Sequence, residues 1–459
     1  MSALPAEKHV SMPAAQPGTA RPRPSRQQPG PSSAPGVTFA ALGVAAALVA
    51  VLAEDGITTP RPIQAAVLPD ALAGLDILGR AQTGSGKTLG FSLPLVARLA
   101  GGHTMACRPR GLVLVPTREL ATQVQAVLSP LAAAMGLTVA AIFGGTPQRP
   151  QVTALRHRAD IVVACPGRLA DLIGQGHCHL GDVEAVVLDE ADQMADLGFL
   201  PVVRQLLEAT PPEGQRLLFS ATLDREVDVL ARRFLARPAR YDVDAAAPPA
   251  QIVHHLLTVT PADRAGVVAA LASGQARVLI FTRTKHGARK LARQLTLAGT
   301  PAAELHGDLA QGTRSRNLAA FGSGEVRAMV ATDMAARGLH VDGIGLVIHA
   351  DPPAGHKAYV HRSGRTARGG AAGTVVTVQT AAQAAGVRAL MRQAGVTPHA
   401  AAAGPGSPVL RSIAGPPARR TAPVARLARP APAAMQATGR GAVAASGGFR
   451  GRRRPGRRG

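Results

Sequence analysis

Short apolar runs recur along the middle of the chain, each separated from the next by a stretch long enough for a helix. Ile77-Leu78, Leu112–Val115, Ile161–Ala164, Ala185–Leu188 and Leu217–Phe219 are hydrophobic at successive positions, not at alternate ones. A strand apolar on both faces is buried on both, as in a parallel sheet covered by helices on either side. The pattern predicts an α/β fold. Phe39–Ala53, fifteen residues without a charge and largely alanine, closes on Glu54-Asp55-Gly56. It is shorter than the ~20 apolar residues of a membrane span and lies too deep for a secretory signal. The expectation is a buried helix.

The polar residues are placed as meaningfully as the apolar ones. Four of the runs end in a polar cluster: Pro116-Thr117-Arg118-Glu119-Leu120-Ala121, Cys165-Pro166-Gly167-Arg168, Asp189-Glu190-Ala191-Asp192 and Ser220-Ala221-Thr222. Parallel sheets bind ligands outside the carboxyl ends of their strands. After Ile77-Leu78 comes Ala81-Gln82-Thr83-Gly84-Ser85-Gly86-Lys87-Thr88, followed by the apolar segment Leu89–Leu99. Glycines allow the tight turn in which backbone N–H groups surround phosphate oxygens. Lys87 would then reach the β- and γ-phosphates and the Thr88 hydroxyl would bind Mg²⁺. A nucleoside triphosphate is the implied ligand. Asp189, at a strand end, suits a second Mg²⁺ contact, and Glu190 suits orientation or deprotonation of an attacking water. Upstream, Pro60 and Pro62 predict a rigid, non-helical approach to Gln64, whose amide can read the edge of adenine.

Composition and charge add a partner and divide the chain. The 459 residues carry a net charge of +23, which favours a polyanion. Residues 1–37 contribute +3 and residues 404–459 contribute +12, with twelve arginines and no acid; the middle retains +8. Both ends are rich in Pro, Gly, Ala and Ser and lack hydrophobic period, so 1–37 and 401–459 read as a disordered leader and a disordered, Arg-rich tail. Cys107, Cys165 and Cys178 form no CxxC pair, which fits a reducing compartment. With no targeting segment evident, the expected location is the cytoplasm, away from membranes.

Taken in order, these motifs resemble the DEAD-box ATP-dependent RNA helicases. The likeness runs through Gln64, Ala81–Thr88, Pro116–Ala121, Gly144-Gly145, Pro166-Gly167-Arg168, the literal Asp-Glu-Ala-Asp at 189–192 and Ser220-Ala221-Thr222. It continues through Leu279-Ile280-Phe281-Thr282, Leu305-His306-Gly307-Asp308 with Gln311 and Arg314, Ala331-Thr332-Asp333, and His361-Arg362-Ser363-Gly364-Arg365-Thr366-Ala367-Arg368. The resemblance implies two tandem RecA-like domains, 38–243 and 251–400, joined by a linker at 244–250. ATP would lie between them, bound through Gln64, Ala81–Thr88 and His340, with Mg²⁺ on Thr88 and Asp189. Lys87, Asp189, Glu190, Arg365 and Arg368 would be catalytic, the two arginines acting from the second domain. Thr117, Arg118, Gly145, Arg168, Thr282, Gln311, Arg314 and Thr332 would line the RNA, while Ser220 and Thr222 would couple hydrolysis to strand separation. Protein partners in ribonucleoprotein or ribosome assembly, or in RNA decay, are further expectations.

Some positions depart from the family pattern. Cys165 stands in place of the usual Thr, Ser363 and Ala367 in place of Ile and Gly, and His340 where an Asp is usual near the ribose. Imidazole can bond a hydroxyl but carries no negative charge, so His340 bears on nucleotide coupling. The His103, Cys107 and His177-Cys178-His179 positions lack a usual zinc spacing, and His306 reads as a structural hydrogen-bonding residue. Three functions remain: an RNA-stimulated ATPase that remodels duplexes, an ATP-gated RNA clamp or chaperone with weak hydrolysis, and a DNA-directed motor. Gln64 and Pro116–Ala121 argue against the last.

Overall fold

The computed structural model describes residues 36–82, 84–243, 252–336, 341, 343–367, 371–416 and 418. Thr83, His340, Arg368, the 244–250 linker, residues 1–35 and the chain from 419 onward lie outside the described residues.

The chain folds as two α/β domains, each built on a seven-stranded parallel sheet. The first sheet holds β1 (Ile77–Arg80), β2 (Gly111–Leu114), β3 (Val139–Ile142), β4 (Ile161–Ala164), β5 (Ala185–Leu188), β6 (Gln215–Ser220) and β7 (Ala239–Asp242). The second holds β8 (Ile252–Thr258), β9 (Arg277–Phe281), β10 (Ala302–Leu305), β11 (Ala328–Ala331), β12 (Ile344–His349), β13 (Gly373–Gln379) and β14 (His399–Ala402). The first sheet is ordered β3-β4-β2-β5-β6-β1-β7 and the second β10-β11-β9-β12-β13-β8-β14, the same winding repeated. These are tandem RecA-like domains.

The unbroken apolar runs now have a physical account. Successive strand residues point to opposite faces, and helices cover both. Val113, Ile161, Val163 and Val187 enter one core of the first domain, whereas Leu112, Leu114, Val162, Val186 and Leu188 enter the other. In the second domain Val278 and Ile280 face one core and Leu279 and Phe281 the other. Every residue of β2, β4 and β5 is buried. The edge strands β3 and β10 are buried only at alternate positions, and β7 is buried only at Tyr241.

Three expectations require correction. Phe39–Ala53 is helical only from Ala46, in the helix Ala46–Glu54. Phe39 remains buried in the turn before it. Pro62 begins the helix Pro62–Leu72 and Gln64 lies inside it, since proline at the first helical position loses no intrahelical bond. The second domain does not stop at 400. Its β14 pairs with β8, and Ala403 and Leu410 join the core, Leu410 from the helix Pro408–Ala414. Residues 401–416 therefore belong to the domain and not to the tail.

His349, at the end of β12, is fully buried; its Nδ1 lies 3.0 Å from Thr377 Oγ1, and its ring meets Phe281 and Tyr359 edge-on. Burial holds its pKa well below the ordinary 6.5, with the Arg362 charge adding to the effect. The unfolded chain thus binds a proton that the folded one refuses. Stability is fully present above about pH 6.5 and is lost as pH falls toward the depressed value, at up to ~1.4 kcal/mol per unit. Thermal melts between pH 7 and 5 should fall more steeply for the parent than for His349→Gln. Equal slopes would remove this role.

Candidate nucleotide site and nucleic-acid face

β1 runs into the glycine-rich loop, and the helix Lys87–Leu99 starts on its far side. Gly84 and Gly86 have φ of 87° and 94°, the left-handed region that glycine enters without strain. A Cβ on Gly86 would stand 2.6 Å from Gln64 Nε2 and 2.8 Å from Arg61 Cδ, so the loop can close on the preceding helix only with glycine there. Gln64 Oε1 accepts the Arg61 backbone N–H at 2.8 Å, and Gln64 Nε2 donates to the Gly86 carbonyl at 2.9 Å. Arg61, which the sequence reading missed, donates its guanidinium to the Gly84 carbonyl at 2.6 Å. No local sequence signal marks Arg61, whose guanidinium meets the loop only in the folded chain.

Lys87 is 6% exposed, and its Nζ donates to the Ala81 carbonyl at 2.8 Å. The Ser85 hydroxyl is buried with no hydrogen-bond partner among the described residues. A buried polar atom without a partner costs about 1–3 kcal/mol. An ammonium, a buried hydroxyl and a helix N-terminus around a left-handed glycine turn suit a polyphosphate. Gln82 is exposed beside the loop.

The acidic cluster follows β5. Asp189 is buried; its N–H donates to the Leu114 carbonyl, and its Oδ1 accepts the Glu190 N–H at 3.0 Å. Burial pushes its carboxyl up to about 7; the Lys87 charge opposes the rise, and Glu190 and Asp192 add to it. A divalent cation beside Asp189 and Thr88 would favour the carboxylate form, so the donor set fits Mg²⁺. Glu190 has φ 54° and ψ 50°, a left-handed conformation that costs a non-glycine residue about 1–2 kcal/mol. Asp192 takes the Thr222 N–H and hydroxyl on Oδ2 at 3.0 and 3.1 Å, and its own N–H donates to Ser220 Oγ at 3.2 Å. The acidic cluster and the Ser220–Thr222 segment therefore form one bonded unit.

Arg365, 5% exposed, arrives from the second domain. It lines a cavity of about 630 Å³ together with Gln82, Glu190, Asp192, Thr222 and His361. At the end of β2, Thr117 caps the helix Arg118–Ala134 by accepting the Leu120 N–H. Arg118 and Arg168 donate to the Gly144 and Thr146 carbonyls at 3.4 and 3.5 Å. Gly145, at φ 76°, lies so close to Arg118 Nη1 that a Cβ would overlap it. These residues form one face. Thr282, Gln311, Arg314 and Thr332 come from the second domain.

Two of these differ from expectation. The Arg314 Nε donates to Glu119 Oε1 at 2.8 Å across the domain junction, and its remaining nitrogens donate to the His306 and Ala335 carbonyls. Its side chain is 4% exposed, so in this structure the guanidinium is taken up by the domain junction. Gln311 also reaches Glu119, at 3.4 Å. His306 has the structural place expected of it, fully buried with Nε2 at 3.2 Å from Glu304.

A doubly wound tandem fold with this loop, and an arginine of the second domain lining the same cavity as Gln82, has the architecture of the two-domain P-loop proteins. Residues 61–230 match the family model of the DEAD/DEAH box helicase, and residues 264–370 that of the helicase conserved C-terminal domain. The chain is 39% identical to the ATP-dependent RNA helicase RhlB of Pseudomonas syringae, over 74% of this chain and 88% of the relative. It is 40% identical to DEAD-box ATP-dependent RNA helicase 30 of Arabidopsis thaliana over 75% of this chain, but spans 60% of that relative's length. Saccharomyces cerevisiae Dbp5, solved bound to RNA and ADP BeF3, superposes with a TM-score of 0.71 at 25% identity, covering 80% of this chain and 95% of Dbp5. The chain belongs to the DEAD-box helicase family.

Substitutions in the loop and the acidic cluster should separate binding from turnover. Lys87→Ala is expected to abolish nucleotide binding in a direct titration. Glu190→Gln should retain it and lower ATP turnover by about 10²–10⁴-fold, the usual worth of a positioned acid–base group. Parental turnover in Glu190→Gln would remove the water-activating role.

Proposed function

We propose that this chain is an ATP-dependent RNA helicase, an RNA-stimulated ATPase that separates short duplexes or remodels RNA–protein complexes. The observation that carries the reading is that Arg365 and Glu190, each from a different domain, line one cavity. ATP would be held by Gln64 and Ala81–Thr88, with Thr83 and His340 completing its surroundings. Thr88 and Asp189 would hold Mg²⁺, which neutralises phosphate charge. Glu190 orients and deprotonates the attacking water. Arg365, joined by Arg368, stabilises the charge that develops on the transferred group.

RNA would cross both domains through Thr117, Arg118, Gly145, Arg168, Thr282 and Thr332, with Gln311 at the junction. Contacts of this type address the backbone and select little sequence. Since neither domain alone completes the site, ATP and RNA favour the same closed arrangement and must strengthen each other's binding. Dbp5 bound to RNA and ADP BeF3, with a likeness over 80% of this chain, supports that arrangement. The cytoplasm is the proposed location, and partners in ribonucleoprotein assembly or RNA decay are consistent with the activity. No described helix is long and apolar enough to cross a membrane.

ATP turnover measured without nucleic acid, with single-stranded RNA and with single-stranded DNA tests the reading. Stimulation by RNA well beyond that by DNA is expected; equal rates in all three would refute it. The same assay addresses the basic tail, cut after residue 418 so that the helix Pro408–Ala414 is kept. Engagement of ~6 tail arginines would add about −4 to the salt slope of log affinity, roughly two orders of magnitude between 50 and 200 mM. The truncated chain should therefore need more RNA and show a flatter salt dependence at unchanged maximal turnover. Equal slopes would leave the tail without a role in RNA capture.

A further inference from the structure

Asp224 and Lys357 come from different domains, 133 residues apart, yet Lys357 Nζ donates to Asp224 Oδ2 at 2.9 Å. Neither lies in the site motifs. The acid is held in place: Asp224 caps the helix Arg225–Phe234, with its Oδ1 accepting the Val227 N–H at 3.1 Å. Its other oxygen meets the ammonium. Asp224 also sits two residues beyond Thr222, which is bonded to Asp192.

The base is equally well placed. Lys357 is the second residue of the helix His356–Ser363, and Arg365 follows two residues after that helix ends. Arg362, within the helix, is clamped by both Asp333 oxygens at 2.5 and 2.7 Å and packs over the Phe281 ring at 4.9 Å. The helix therefore moves with its domain. One ion pair thus ties the Ser220–Thr222 segment to the segment bearing Arg365. Asp196 and Glu226 deepen the negative field around the ammonium.

We propose that Asp224 and Lys357 form a closure latch, a pair of positioning residues that sets how often the two domains occupy the arrangement in which Arg365 faces Glu190. The proposal rests on the two-domain ATPase reading above. The lysine side chain is 54% exposed and the aspartate 21%, so the pair is partly solvated and sensitive to salt. That suits a contact which opens and re-forms in every cycle. The buried Arg314–Glu119 pair is poorly suited to such tuning. Apparent affinity scales with the population of the competent state, so losing the latch should weaken nucleotide and RNA binding by the same factor, about two- to five-fold. Turnover at saturation should not change.

The full chain, with one fluorophore on each domain, is titrated with a non-hydrolysable ATP analogue at fixed single-stranded RNA, beside steady-state ATPase assays. The variants are Lys357→Gln, Lys357→Arg, Asp224→Asn and the Lys357→Gln/Asp224→Asn double; asparagine keeps the helix cap. At about 0.1 M salt each neutralising single variant should raise the closure midpoint and the KM two- to five-fold with kcat unchanged. The double should match the singles, Lys357→Arg should behave as the parent, and the differences should shrink at about 1 M salt. Unchanged midpoints, an additive double or a loss confined to kcat would overturn the latch. A parent whose turnover ignores RNA would count against the helicase reading instead, and the fluorescence midpoints would still decide the latch.

Discussion

The buried ion pair between Glu119 and Arg314 constrains how the two domains meet. Its side chains are 7% and 4% exposed, and the guanidinium is further satisfied by two carbonyls of its own domain. Removing one partner of a buried pair leaves an uncompensated charge, at about 3–5 kcal/mol. Glu119 stands in the first turn of the helix Arg118–Ala134, where the helix field favours an acid. The pair therefore holds the end of β2 against the second domain, on the helix that also carries Arg118 to the Gly144 carbonyl. With the junction closed there, Arg365 reaches the cavity that Glu190 lines.

Within each domain the same economy of design applies at smaller scale. Strands buried on both faces leave their carboxyl ends as the places where polar side chains can emerge, and the chemistry collects there. Asp192 illustrates the consequence: by bonding Ser220 and Thr222 it makes the acidic cluster and the end of β6 move together. The left-handed Glu190 shows the cost, since its neighbours must hold a conformation that an ordinary residue avoids.

The central strands of the first domain were legible because burial on both faces writes a continuous apolar run. The edge strands were not: β3 and β10 are half-exposed, and β14, His-Ala-Ala-Ala, has neither β-branched nor large residues to mark it. The nucleotide loop was legible because its residues are neighbours in sequence. Glu119 and Arg314, 195 residues apart, meet only when the domains do, so the junction role of Arg314 could not be read from its neighbours in sequence. Gln64 reads in sequence as an adenine contact; its bond to the Gly86 carbonyl was not visible there, and its proline-flanked context hid the helix that Pro62 begins.

The central claim is that one closed arrangement serves both ligands, so the most direct measurement is a binding square. The affinity of a non-hydrolysable ATP analogue is measured with and without single-stranded RNA, and that of RNA with and without the analogue. The account predicts that each ligand tightens the other by the same factor, on the order of 5–150-fold. Affinities that ignore the second ligand would contradict it.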